Sequence, residues 1–131
     1  MRRALLVACV AALAFAGCSE SKDRAPGEVG MSDSHAFDPK ESTIDAGETV
    51  TWINDSSESH TVTAFEESLP EGAEYFASGG AENEEEARDD VSDGLMQSDE
   101  TFEVTFEEPG TYRYVCIPHE GDGMTGTVVV R

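Results

Sequence analysis

Short runs rich in β-branched and aromatic residues, each bounded by turn signals, constrain the fold of this chain most strongly. Residues 49–54 form the clearest run, which contains Trp52 and follows a turn at Asp45-Ala46-Gly47. Similar runs occupy residues 60–64, 102–106, 111–116 and 125–130. Several short strands with little helical periodicity predict an all-β domain, an antiparallel β-sandwich or barrel with Trp52 in its core.

The N-terminus has the pattern of an export signal. Arg2 and Arg3 precede an apolar run over residues 4–16, which is shorter than the ~20 residues of a spanning helix. The small residues Ala16 and Gly17 before Cys18 mark a cleavage point, so we expect residues 1–17 to be a signal peptide. The Arg pair leaves open whether export follows the general secretory or the twin-arginine route.

Residues 15–18, Phe-Ala-Gly-Cys, resemble a lipoprotein signal box. The resemblance implies that Cys18 is lipidated and anchors the exported protein to the outer face of the cytoplasmic membrane. Ordinary secretion with a chance cysteine is the alternative. Cys9 leaves with the signal and a genuine box commits Cys18 to the lipid, so Cys116 is then the remaining thiol and has no partner for an intramolecular disulfide. A metal bond would explain an unpaired thiol outside the cell.

The mature chain divides into a tether and one domain. Residues 18–31 are mostly polar and contain Pro26, Gly27 and Gly30, which predicts a flexible tether. Residues 32–131 are then a single domain with a modest core.

The chain is strongly acidic. Loss of Arg2 and Arg3 takes its formal net charge from −20 to −22. This charge argues against nucleic acid as a partner and is typical of proteins from a high-salt habitat.

An acidic segment interrupts the strand pattern at residues 66–100. It contains 13 acidic side chains and one basic side chain, Arg88. We expect a surface excursion that is either irregular or forms a short helix within residues 81–91. A carboxylate cation site is conceivable there, but the ligand spacing of a calcium loop is absent.

The chemistry is concentrated near the C-terminus, where Cys116, His119 and Met124 lie within nine residues. A thiolate, two imidazoles and a weak axial thioether suit both Cu(I) and Cu(II). His60 is the better second imidazole, because it lies where a strand leaves the loop at residues 55–59. His35, Met31 and Met96 are interpreted as ordinary core or surface residues.

The motif Cys-x-x-His-x-x-x-x-Met, after a Pro-Gly-Thr-Tyr strand and an upstream Gly-Glu-Thr-Val-Thr-Trp, resembles the cupredoxins, especially the plastocyanins and the haloarchaeal halocyanins. Pseudoazurins share this spacing, so the subgroup stays open. The resemblance implies a Greek-key β-sandwich with a type 1 (blue) copper ion held by His60, Cys116 and His119, with Met124 as the long axial ligand.

The implied function is one-electron transfer, without catalysis, between a redox donor and acceptor protein at the membrane. We expect a monomer, with His119 as the electron port. A copper carrier or storage lipoprotein is the main alternative. A structural zinc module has similar ligands. A nitrite reductase or oxidase would need further histidines, and His35 is the one histidine left.

Overall fold

The computed structural model describes residues 23–131. The signal peptide over residues 1–17 and the lipidation of Cys18 therefore lie outside the described residues. Within residues 23–131, no helix is both long and apolar enough to cross a membrane.

The described residues form eight strands, and the last five of these follow the runs of β-branched and aromatic residues. Their bounds are β1 Glu28–Ser32, β2 Ala36–Asp38, β3 Glu41–Ile44, β4 Glu48–Asn54, β5 Thr63–Ala64, β6 Thr101–Phe106, β7 Gly110–Val115 and β8 Thr125–Val130. One α-helix, α1 (Glu84–Asp89), lies in the acidic segment, which decides between the helical and the irregular form expected there. Short 3-10 turns occupy Glu66–Ser68, Val91–Gly94 and Ile117–Asp122.

The strands form two four-stranded sheets, in the orders β2-β1-β4-β6 and β3-β8-β7-β5. The β-sandwich prediction is confirmed, but the sheets are mixed, since β1 pairs with β4 and β3 with β8 in parallel. Parallel pairing arises because consecutive strands cross between the sheets and return beside non-consecutive ones.

Trp52 is fully buried and joins the two sheets, as predicted for a core anchor. Its ring, on β4, meets Tyr114 on β7 edge to face, with centroids 5.2 Å apart. Phe76 stacks on the same indole at 5.9 Å. These large aromatic side chains supply much of the buried apolar area of the sandwich.

The tether predicted over residues 18–31 is wrong at its C-terminal end. Residues 28–31 belong to β1, which pairs with β2 and β4, and the Val29 and Met31 side chains are fully buried in the core. Gly30 resembled a linker residue, but it lies within the strand, and the Arg24 guanidinium occupies the space that a side chain would need there. A glycine can thus mark a close approach as well as a turn.

The segment at residues 66–100 is also more than a surface excursion. Phe76, Ala77 and Met96 are buried, and Phe76 packs edge to face on Phe106, 5.4 Å between centroids. The acidic side chains dominate the composition of the segment and obscured these few buried residues.

Candidate metal centre

His60 is held in the interior by both its backbone and its ring. Its N–H donates to the Met96 carbonyl at 3.2 Å, and the Met96 N–H donates back at 2.8 Å. The ring Nε2 lies 2.8 Å from Ser56 Oγ, and that hydroxyl is 2.8 Å from the Asn54 amide oxygen. Because the Ser56 hydroxyl donates its proton to the Asn54 amide oxygen, it accepts a hydrogen bond from the Nε2–H of His60. The Nδ1 atom of His60 is then unprotonated, and its lone pair can bind a metal ion.

Burial also lowers the pKa of His60, and the neighbouring His119 lowers it further. The neutral imidazole, which is the form that binds metals, is therefore favoured at neutral pH.

Cys116 directly follows β7 and is fully buried. Its Sγ accepts a hydrogen bond from the Thr61 N–H at 3.4 Å. Burial raises the pKa of the Cys116 thiol, while the Thr61 amide acts in the opposite direction. The thiol is thus protonated at neutral pH until a cation displaces its proton.

The loop from Cys116 to Met124 folds back on itself. The His119 N–H donates to the Cys116 carbonyl at 3.2 Å, and the Met124 N–H donates to the His119 carbonyl at 3.2 Å. The Cys116 N–H closes the loop by donating to the Met124 carbonyl at 3.0 Å. Gly123 has φ of 78°, a left-handed conformation that favours glycine.

Three predicted ligands converge on one point. The His60 and His119 Nδ1 atoms are 3.1 Å apart, and Cys116 Sγ lies 3.7 Å and 3.4 Å from them, respectively. Three donors about 2.0–2.3 Å from one ion would lie about 3.5 Å apart. The donor set therefore fits a single metal ion with little rearrangement.

Met124, the fourth predicted ligand, is buried in the same core cluster as Cys116. Its backbone hydrogen bonds to Cys116 and His119 keep it beside the other ligands. Its role as the axial ligand stays a prediction.

His35 lies beside the proposed metal ligands, although from the sequence it was interpreted as an ordinary core or surface residue. Its ring stacks on His119, with centroids 3.8 Å apart and planes 16° apart. Nε2 lies 2.8 Å from a Glu58 carboxylate oxygen, and Nδ1 lies 2.9 Å from Asp122. These hydrogen bonds raise the pKa of His35, the one to Glu58 most strongly. No spacing rule could have found it, because His35 and Asp122 are 87 positions apart.

The acidic segment reaches the metal end through Arg88 of α1. Its guanidinium binds both oxygens of Glu120, at 2.8 Å and 3.1 Å, and it also contacts Glu84. Arg88 lowers the pKa of Glu120 through this pairing. The helix thus braces the residue that follows His119.

Thiolate and imidazole donors of this kind select copper or zinc, and an added thioether favours copper. The chain matches the model of a family described as copper binding proteins, plastocyanin/azurin family, over residues 27–131.

Among curated relatives, the plastocyanin of Scenedesmus fuscus is 37% identical over 72% of this chain and 86% of its own length. A solved amicyanin variant shares the fold with a TM-score of 0.59 and 26% identity, over 85% of this chain and 87% of that chain. A copper-containing nitrite reductase from Thermus scotoductus has a TM-score of 0.57, over 83% of this chain and 23% of that chain. At 23% identity this last match shows the fold alone. With the family model covering nearly all of the described residues, this chain belongs to the plastocyanin/azurin family of copper-binding proteins and has its cupredoxin fold.

Proposed function

We propose that this protein is a type 1 copper electron carrier whose ligands are His60, Cys116, His119 and Met124. The observation that carries the proposal is the convergence of two imidazole Nδ1 atoms and one thiol at a buried point. Copper supplies the one-electron couple when it is bound. Plastocyanin-like relatives support electron transfer as the function.

The protein's own groups keep this centre nearly unchanged between oxidation states. Ser56 and the Met96 backbone hold His60, and the Thr61 amide contributes a hydrogen bond to the Cys116 sulfur. Hydrogen bonds to that sulfur tune the reduction potential. His119, whose side chain is 14% exposed, is the route by which an electron reaches the surface.

The test is reconstitution of the exported domain with Cu(II). We expect an intense visible thiolate-to-copper absorption that bleaches on reduction and returns on oxidation. The matched variant Cys116→Ser should remain folded and lose the band. A colourless copper complex of the unmodified protein would overturn electron transfer in favour of copper carriage or storage.

We propose that the carrier acts without catalysis of its own. In cupredoxin enzymes a catalytic metal needs an open coordination position. Here the four proposed ligands would fill the coordination shell of a single copper ion. The test is incubation of the copper protein with nitrite and an electron donor: we expect no turnover, and sustained nitrite consumption would contradict the proposal.

We propose that the carrier is a monomeric lipoprotein on the outer face of the cytoplasmic membrane, where it passes electrons between membrane redox proteins. The Phe-Ala-Gly-Cys box at residues 15–18 supports a lipid on Cys18. Mass spectrometry of the membrane-bound protein should find that lipid, and Cys18→Ser should release the protein from the membrane. An unmodified N-terminus on a fully soluble wild-type protein would contradict the proposal.

We propose that the protein is of the halocyanin type and works in concentrated salt. The 28 acidic residues against eight basic ones support this, since repulsion among them opposes folding in dilute buffer. Its melting temperature should rise steeply between low and molar salt. A flat salt profile would contradict a halophilic habitat.

A further inference from the structure

The buried donor set raises the question of how a metal ion reaches it. His60 and Cys116 are fully buried, and Met124 is almost so. His119 is the one proposed ligand with an exposed part, so an incoming ion must pass beside its ring.

A second group of donor atoms lies on the solvent side of that ring. Glu58 Oε2 is 2.8 Å from His35 Nε2 and 3.3 Å from His119 Nε2. The His35 and Glu58 side chains are 27% and 49% exposed, so an ion can reach them from solvent. His35, Glu58 and His119 thus form a potential ligand group that shares His119 with the inner centre.

The geometry of the outer pair suits a square-planar or tetragonal ion. Two ligand atoms each about 2.0 Å from an ion and at right angles to each other are about 2.8 Å apart. The His35 Nε2 to Glu58 Oε2 distance is 2.8 Å. Cu(II) prefers such tetragonal nitrogen and oxygen sites.

Asp122 lies on the side of the His35 ring away from Glu58. It lies 2.9 Å from His35 Nδ1, the nitrogen that would not bind the metal. A carboxylate that accepts this N–H orients the imidazole and increases its basicity as a ligand. His35 also has φ of 54°, an uncommon value for a residue with a side chain, in a turn closed by its N–H to the Ser32 carbonyl at 3.1 Å. This turn places the ring against His119.

We propose that His35 and Glu58 form an outer Cu(II) site through which copper is loaded into the inner centre. The inference rests on the proposed function, because it takes the inner centre to be the copper site. Binding of the ion to His35 Nε2 and Glu58 Oε2 releases the proton between these two atoms to solvent, and water fills the remaining positions of the ion. His119 then turns aside, the ion leaves His35 and Glu58 for His60 Nδ1 and Cys116 Sγ, and His119 binds it through Nδ1 on its return. The thiol proton leaves to solvent, and copper remains Cu(II) throughout.

The experiment is stopped-flow mixing of the full-length apoprotein with excess Cu(II), followed by the growth of the thiolate-to-copper absorption. For the unmodified protein we expect a rate that saturates with Cu(II) concentration, because the outer site fills first. His35→Phe keeps an aromatic ring against His119 but has no ligand nitrogen, and Glu58→Gln removes the carboxylate. In both variants the rate of copper loading should be about ten-fold lower and should rise linearly with the Cu(II) concentration. The final absorption spectrum should match that of the unmodified protein.

The matched control is Glu103→Gln, an exposed carboxylate on β6 that changes the charge equally. It should load like the unmodified protein. Loading of both His35→Phe and Glu58→Gln at the unmodified rate would overturn the outer site while leaving the blue centre intact. Equal slowing by Glu103→Gln would also overturn it, since general charge attraction would then explain the effect. Failure of the unmodified protein to develop the band would instead remove the proposed function itself.

Discussion

His60 and His119 bring their Nδ1 atoms to within 3.1 Å of each other, yet the segments that carry them are held differently. The His60 segment is fixed by buried hydrogen bonds from Ser56 to Asn54 of β4 and between His60 and Met96 of the acidic segment. The loop at residues 116–124 is closed by its own backbone and is braced from outside by the exposed Arg88–Glu120 pair.

The difference indicates a division of labour. A buried polar network is costly to disturb, because each group left unpaired loses its full hydrogen bond. An exposed ion pair contributes little, since water and salt screen it. We therefore expect the His60 segment to be the rigid side of the metal centre. The loop at residues 116–124 is the side that we expect to move when metal is loaded or a partner docks.

The largest effect is expected from Asn54→Ala, on the rigid side. The Asn54 Nδ2 donates to the carbonyls of Glu58 and Met96 at 2.7 Å and 2.9 Å, and its Oδ1 accepts from the Ser56 N–H at 3.0 Å. Their loss should lower the free energy of unfolding by about 3 kcal/mol, measured by denaturant titration of the apoprotein.

The matched control is Asn83→Ala, which removes the N-cap of α1, where Oδ1 accepts from the Glu86 N–H at 2.8 Å. This change should cost about 1 kcal/mol and leave the visible copper spectrum unchanged. If Asn54→Ala cost no more than the control, the His60 side would not be the rigid one.

A smaller effect is expected from Arg88→Met, on the loop side. The Arg88 and Glu120 side chains are 34% and 41% exposed, so the stability loss should be about 0.5 kcal/mol. The reduction potential of the copper-loaded protein should nevertheless shift, because Arg88 holds Glu120, the residue after the proposed ligand His119. The swap Arg88→Glu with Glu120→Arg should restore part of the original potential.

Arg131→Met is the control for this brace. It removes an exposed pair with Asp45, at 3.4 Å, on the β3–β4 turn. The potential should not change in this variant. An equal shift in both variants would mean that Arg88 acts only through overall charge.

The smallest effect is a pH-dependent change in stability on substitution of Asp33. Its carboxylate accepts hydrogen bonds of 2.9 Å each from the N–H and the hydroxyl of Ser57, which lies in the loop before His60. These hydrogen bonds lower the pKa of Asp33 below its ordinary value of 3.8. A lowered folded-state pKa stabilises the fold above the unfolded-state pKa, and this contribution is lost as pH falls through the folded-state value.

Asp33→Asn should therefore be slightly less stable than the unmodified protein at pH 5–7, and the difference should vanish at strongly acidic pH. Thermal unfolding across this range is the measurement. A difference that stayed constant with pH would rule out the carboxylate as its source.

Much of the fold followed from local patterns. Alternation and turn residues located the strands around Trp52, and the spacing of Cys116, His119 and Met124 within one loop predicted a metal centre. The short helix near Arg88 was one of the two forms expected from local sequence. These features depend on near neighbours in the chain, which a linear pattern records.

The tertiary structure decided the rest. It joined β1 to β4 in parallel, moved Val29 and Met31 from a predicted tether into the core, and paired the His60 backbone with Met96. It also brought His35 onto His119 and Arg88 onto Glu120, the latter 32 positions away in sequence. Such contacts depend on how the two sheets pack and on where their loops meet, and composition or periodicity carries no record of either. The sequence alone therefore indicated which atoms could hold copper, while the folded chain decided what surrounds them.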